Sequence, residues 1–145
     1  RPGAGGAEGG LGGLDFGPRE VEYLCSCFAR NTSVTSLNLS YNPIGDDGAE
    51  LVAALLRPGA ALPLARLTMN DCSIGGRGAK ALAEALAGNK TLQTLELMNN
   101  AVDEVGGEAL SEMLRSNKSL RQLGVGFNNL PDELQTRIDR QMMMR

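Results

Sequence analysis

A near-repeat of 28 to 30 residues constrains this chain more than any other feature of it. Residues 34–63, 64–91 and 92–119 superimpose with periods of 30, 28 and 28, and a fourth unit opens at Leu120. Each unit begins L-x-x-L-x-L-x-x-N/C-x-L. The matching sets are Val34, Leu37, Leu39, Asn42, Ile44; then Leu64, Leu67, Met69, Cys72, Ile74; then Leu92, Leu95, Leu97, Asn100, Val102; and finally Leu120, Leu123, Val125, Asn128, Leu130. The alternating apolar residues predict a short strand with one face turned inward. A second stripe at i, i+3 and i+7 follows in each unit and predicts a helix. It reads Ala49, Val52, Leu56; Ala79, Leu82, Leu86; and Gly107, Leu110, Leu114. One strand and one helix cannot bury their own apolar faces. Stacked units can, so a fixed period of this length predicts a solenoid.

The four opening motifs resemble the leucine-rich-repeat family. The unit length and the G-A-x-x-L-A-x-x-L run resemble its ribonuclease-inhibitor-like subclass, found also in NOD-like receptors and in ciliary proteins. The resemblance implies an α/β leucine-rich-repeat solenoid. It would form a short right-handed arc with parallel strands on the concave face and helices on the convex face. It also implies that the Asn/Cys positions Asn42, Cys72, Asn100 and Asn128 form a structural ladder, bonding to buried backbone groups of neighbouring turns. An unpartnered buried backbone group costs ~1–3 kcal/mol. Cys72 sits in that slot, so it reads as a structural thiol.

The expected organisation is a Gly-rich flexible lead over 1–16 and a repeat domain over 17–145. Within the domain, 17–33 reads as an N-terminal cap helix or a degenerate repeat that kept only its helix, with Pro18 in the first turn and Val21, Leu24, Cys25 and Phe28 on one stripe. The repeats follow at 34–63, 64–91, 92–119 and 120–130. A C-terminal cap helix over 131–145 carries acids in its first turn and Leu134, Ile138 and Met142 on one face. Met143 and Met144 add soft apolar surface there. The chain opens on Arg1 rather than Met, which reads as a processed or partial chain.

Composition narrows the function classes. The chain has 145 residues, no histidine, no tryptophan and a formal net charge of −3. Without histidine the usual general base and the commonest zinc ligand are missing, so no catalytic residue, cofactor or metal is expected. The three cysteines, Cys25, Cys27 and Cys72, have no framework spacing. No apolar run approaches the ~18 residues that span a bilayer, and no basic face suits nucleic acid. The sequons at Asn31, Asn38, Asn89 and Asn117 are mostly one repeat position and read as by-products of the pattern. The paired acids Asp46–Asp47 and Asp103–Glu104 precede helices, where they favour the helix dipole.

The outward strand positions on the concave face are therefore where function is expected. Tyr41, Arg66, Asn70, Asp71, Glu96, Met98 and Phe127 are the candidate partner-binding residues; aromatic residues, Arg and Met are the types enriched in interfaces. The expected role is a non-catalytic protein–protein interaction module, a scaffold or assembly subunit of an intracellular complex. Two alternatives are a regulatory protein of the GTPase-activating or NOD-like sensing type, and a ciliary or axonemal structural component. The expected compartment is the cytoplasm, with cilium and mitochondrion open.

Overall fold

A computed structural model of the chain describes residues 8–145. Five strand–helix units follow one another. The strands are β1 (Glu8–Gly10), β2 (Ser36–Asn38), β3 (Arg66–Thr68), β4 (Thr94–Glu96) and β5 (Gln122–Gly124). The helices are α1 (Pro18–Phe28), α2 (Gly45–Ala53, prolonged by a 3-10 turn over Ala54–Leu56), α3 (Gly76–Leu86), α4 (Glu104–Ser116) and α5 (Asp132–Met143). All five strands pair in parallel in sequence order, forming one open sheet. The helices pack along one side of that sheet, each against the next.

The register explains why the repeat folds this way. Leu37, Leu67, Leu95 and Leu123 stand opposite one another across β2 to β5. The first three are at most 2% exposed. Leu39, Met69, Leu97 and Val125 form the next buried row, and Ile44, Ile74 and Val102 the row at the turn. From the helices come Ala49, Val52 and Leu56, then Ala79, Leu82 and Leu86, then Leu110 and Leu114. Each fully buried aliphatic side chain contributes about 1.5–3 kcal/mol of transfer free energy, and every repeat shares its core with both neighbours.

Glycines set how closely the helices approach. A Cβ on Gly106 would lie 2.9 Å from the Ala79 Cβ and 3.1 Å from the Gly76 Cα. Any side chain there would push α4 away from α3. The same holds at Gly78, where a Cβ would lie 2.9 Å from the Ala49 Cβ of α2.

The N-terminal end departs from expectation. The segment read as a flexible lead is paired from Glu8 onward, and Arg1–Ala7 lies outside the described residues. Glu8, Gly9 and Gly10 stand opposite Ser36, Leu37 and Asn38. Leu11 N donates to Asn38 O at 2.9 Å and Gly13 N to Ser40 O at 3.0 Å. The first unit therefore kept its strand as well as its helix. The pairing is made by backbone atoms, so it needs no Leu-x-Leu pattern. At the other end, α5 begins 28 residues after α4 and packs on it through buried Leu134 and Ile138. It occupies the phase of a repeat helix, with Gln141 Nε2 donating to Ser111 O at 3.0 Å.

Candidate functional site

Two polar ladders hold the strand-to-helix and helix-to-strand turns, and they fix where surface residues sit. In the first, Asn100 Nδ2 donates to Met69 O at 2.9 Å and Leu97 O at 3.0 Å, while its Oδ1 accepts from Cys72 N at 2.8 Å and Ile74 N at 3.0 Å. Asn42 does the same two units earlier, donating to Leu11 O and Leu39 O and accepting from Leu14 N and Phe16 N. Asn128 donates to Leu97 O and Val125 O and accepts from Val102 N. Cys72 takes the donor role with Sγ 3.1 Å from Leu39 O. It has no oxygen for Ile44 N, which turns instead to Asn42 O at 2.8 Å. Burial pushes the Cys72 thiol up from 9.0 to about 11, so it stays protonated and unreactive.

The second ladder lies at the helix ends and was visible in the sequence only as an alignment of asparagines. Asn89 Nδ2 donates to Leu56 O, and Asn117 Nδ2 to Leu86 O and Asn89 O. Their Oδ1 atoms accept from the backbone two and three residues on, at Thr91, Leu92, Ser119 and Leu120. Asn117 is 2% exposed, so its sequon is consumed by the fold. Arg145 falls one period after Asn117. Its guanidinium takes that rung by donating to Leu114 O and Asn117 O.

The concave strand face carries the candidate residues in two groups. Arg66, Asn70, Glu96 and Met98 lie on or just past the strands. Asn70 serves the scaffold: its Oδ1 accepts from Met98 N at 2.8 Å, and its N donates to Ser40 Oγ at 3.0 Å. Glu96 is oriented by Gln122 Nε2 at 2.8 Å and lies over Gly124, where a Cβ would be 2.0 Å from its Oε1. Met98 leans over Gly126, its Cε 3.6 Å from where a Cβ would stand. Arg66 is exposed at the start of β3.

Tyr41, Asp71 and Phe127 form the second group, with Asn99 between the last two. These four residues occupy one recurring position just before the ladder residue, and all are left-handed, with φ of 63°, 57°, 59° and 56° in chain order. Gly13 holds the same position in the first unit at φ 71°. Asp and Asn tolerate this conformation; a bulky side chain does so at a cost of roughly 1–2 kcal/mol. Asn99 Nδ2 donates to Asp71 Oδ2 at 2.8 Å, tying the middle of the row. Tyr41 and Phe127 are 66% and 79% exposed. They gain nothing from the core that would offset their backbone strain. Among the described residues, no group of three or more His, Cys, Asp or Glu is placed to hold a metal, and no helix is long and apolar enough to cross a membrane.

The family model described as Leucine Rich repeat matches residues 30–53, 64–83 and 88–111. The chain is a leucine-rich-repeat protein. Its repeats are of the ribonuclease-inhibitor-like kind: it is 36% identical over 85 residues to the ribonuclease inhibitor of Mus musculus, covering 58% of this chain and 18% of that protein. It is 34% identical over 85 residues to NACHT, LRR and PYD domains-containing protein 4E of Mus musculus, covering 58% of this chain and 8% of the relative. The chain thus spans under a fifth of the length of these relatives. Among solved structures, one described as Leiomodin-1 Actin-Binding Site 2 superimposes with a TM-score of 0.79 at 18% identity, covering 95% of this chain and 79% of the other. That likeness is one of fold.

Proposed function

We propose that this leucine-rich-repeat chain is a non-catalytic protein-binding module, a scaffold or assembly subunit of an intracellular complex, which grips its partner along the concave face and the strand-to-helix rim. The observation that carries this reading is the exposed aromatic pair Tyr41 and Phe127, held in left-handed backbone. A fold optimised for stability alone would place Gly, Asn or Asp there, as the chain does at Gly13, Asp71 and Asn99. Between the two aromatics lie Asp71, Glu96 and Met98, a mixed polar and apolar floor. A patch spanning these strands offers something near the ~800 Å² per partner of a standard interface.

The test is hydrogen exchange on the endogenous protein, purified natively with its stoichiometric partner and again after the partner is stripped away. Slowed exchange confined to the backbone around residues 40–42, 70–72, 98–99 and 126–128 is the expected result. Protection confined to the convex helices, with these segments unchanged, would contradict the reading. Hydrolysis of GTP by a small GTPase accelerated by the isolated chain would favour the regulatory alternative instead.

A further inference from the structure

We propose that the edge of the solenoid formed by the helix-to-strand loops is a second docking surface, for an acidic protein segment in extended conformation. The segments that run from the helix ends to the next strands, 29–35, 57–65, 87–93 and 115–121, contain Arg30, Arg57, Lys90, Arg115, Lys118 and Arg121 and not one Asp or Glu. All six cations are exposed. Among the described residues, only Arg115 has a carboxylate partner, Glu112 at 3.7 Å. Helix dipoles do not account for this bias. The dipole effect fades beyond the last turn, and the last turns of α1, α2 and α3 hold no basic residue. Only Arg115 of the set sits in a last turn. The opposite edge, at the helix starts, is acidic through Asp46, Asp47, Asp103, Glu104, Asp132 and Glu133. Arg77 on that edge is paired with Asp47 and Glu50, and the acids still outnumber Arg19 and Arg77 there, so the two edges differ in the sign of their charge.

Shape adds to charge. Three clefts lie along the basic edge from loop 57–65 to the C-terminal helix. One of about 400 Å³ lies between 57–63 and 88–91, one of about 370 Å³ between 87–90 and 116–119, and one of about 490 Å³ between Leu114–Lys118 and Gln141–Arg145. Pro58, Leu62, Ala87, Leu114 and Met144 give these clefts apolar walls. Helices pack about 8–10 Å apart, which an extended chain covers in about three residues. The surface thus fits a segment with a carboxylate and an apolar side chain in each three-residue step. Single-stranded nucleic acid is disfavoured because the loops offer no aromatic stacking platform.

The experiment is fluorescence anisotropy of the full chain with a labelled peptide repeating Glu-Leu-Ser. Binding that weakens as salt rises is expected. Arg57→Gln/Lys90→Gln/Lys118→Gln should weaken it about tenfold or more, while Tyr41→Asn/Phe127→Asn leaves it unchanged. That second variant separates this surface from the concave one. The proposal is overturned if no binding is seen, or if a Ser-Leu-Ser peptide binds equally. It is also overturned if the triple variant, folded by circular dichroism, binds like the parent. Tighter binding of oligo(dT) or phosphatidylserine vesicles, lost in the triple variant, would assign the edge to another partner class. Self-association in sedimentation that is lost in the triple variant, without peptide binding, would assign it to a second copy.

Discussion

Replacing Asn100 by Ala removes the central rung of the strand-end ladder, and the structure sets the size of the effect. The side chain donates to Met69 O and Leu97 O, more distantly to Met98 O, and accepts from Cys72 N and Ile74 N. Each is worth about 1 kcal/mol net, and the half-buried site lets water reach only some of the orphaned groups. The expected loss is about 4 kcal/mol, a large share of a typical domain's stability. In urea, with a slope of about 1–3 kcal/mol/M, the midpoint should fall by roughly 2 M. Asn128→Ala removes fewer backbone partners, since only Val102 N donates to it, and should cost less. Cys72→Ala loses weak thiol contacts, at 3.1 and 3.4 Å, and should cost about 1 kcal/mol. The order Asn100, Asn128, Cys72 is the prediction. A Cys72→Ala variant that loses as much as Asn100→Ala would refute the ladder argument.

Further perturbations have directions fixed by the same contacts. Leu95 is fully buried, so Leu95→Asp should leave an uncompensated charge in the shared core and abolish the cooperative unfolding transition. Asp46 Oδ1 accepts from Gly75 N at 2.7 Å and Gly78 N at 2.9 Å, capping α3 from the preceding unit. Asp46→Ala should therefore cost about 1–2 kcal/mol by thermal melting. Burial raises the Cys25 and Cys72 thiols from 9.0 to about 11. A raised folded value means stability is fully present below pH 9 and declines as pH rises from 9 toward 11. Cys25→Ala/Cys72→Ala should flatten that decline. At neutral pH iodoacetamide should label Cys27, the exposed cysteine, well before the other two, as mass spectrometry would read out.

The repeat pattern was legible because burial in a solenoid is periodic: Leu37, Leu67 and Leu95 must all face one core, and their spacing states the fold. Strand β1 was not legible, because Glu8–Gly10 joins the sheet through backbone atoms and carries no inward apolar pattern. Asp46 was read as serving the dipole of its own helix; its carboxylate in fact reaches the next one, because Gly75 at that N-cap has no side chain to offer. Arg145 could not be recognised as a rung, since an arginine does not resemble the asparagines it succeeds. At the candidate site, the sequence placed Tyr41, Asp71 and Phe127 on the outward face. Their shared left-handed backbone was hidden, because the residues at that position have no chemistry in common.

The most direct test of the concave-face reading is the double variant Tyr41→Asn/Phe127→Asn, measured for stability and for binding to the natively co-purified partner. Relief of left-handed strain should raise stability by about 1 kcal/mol per site, about 2–4 °C each in melting temperature for a chain of this size. Partner affinity should fall at least about tenfold. A variant that is stabilised yet binds undiminished would place the interface elsewhere, and one that is destabilised would show that the two aromatics serve the fold.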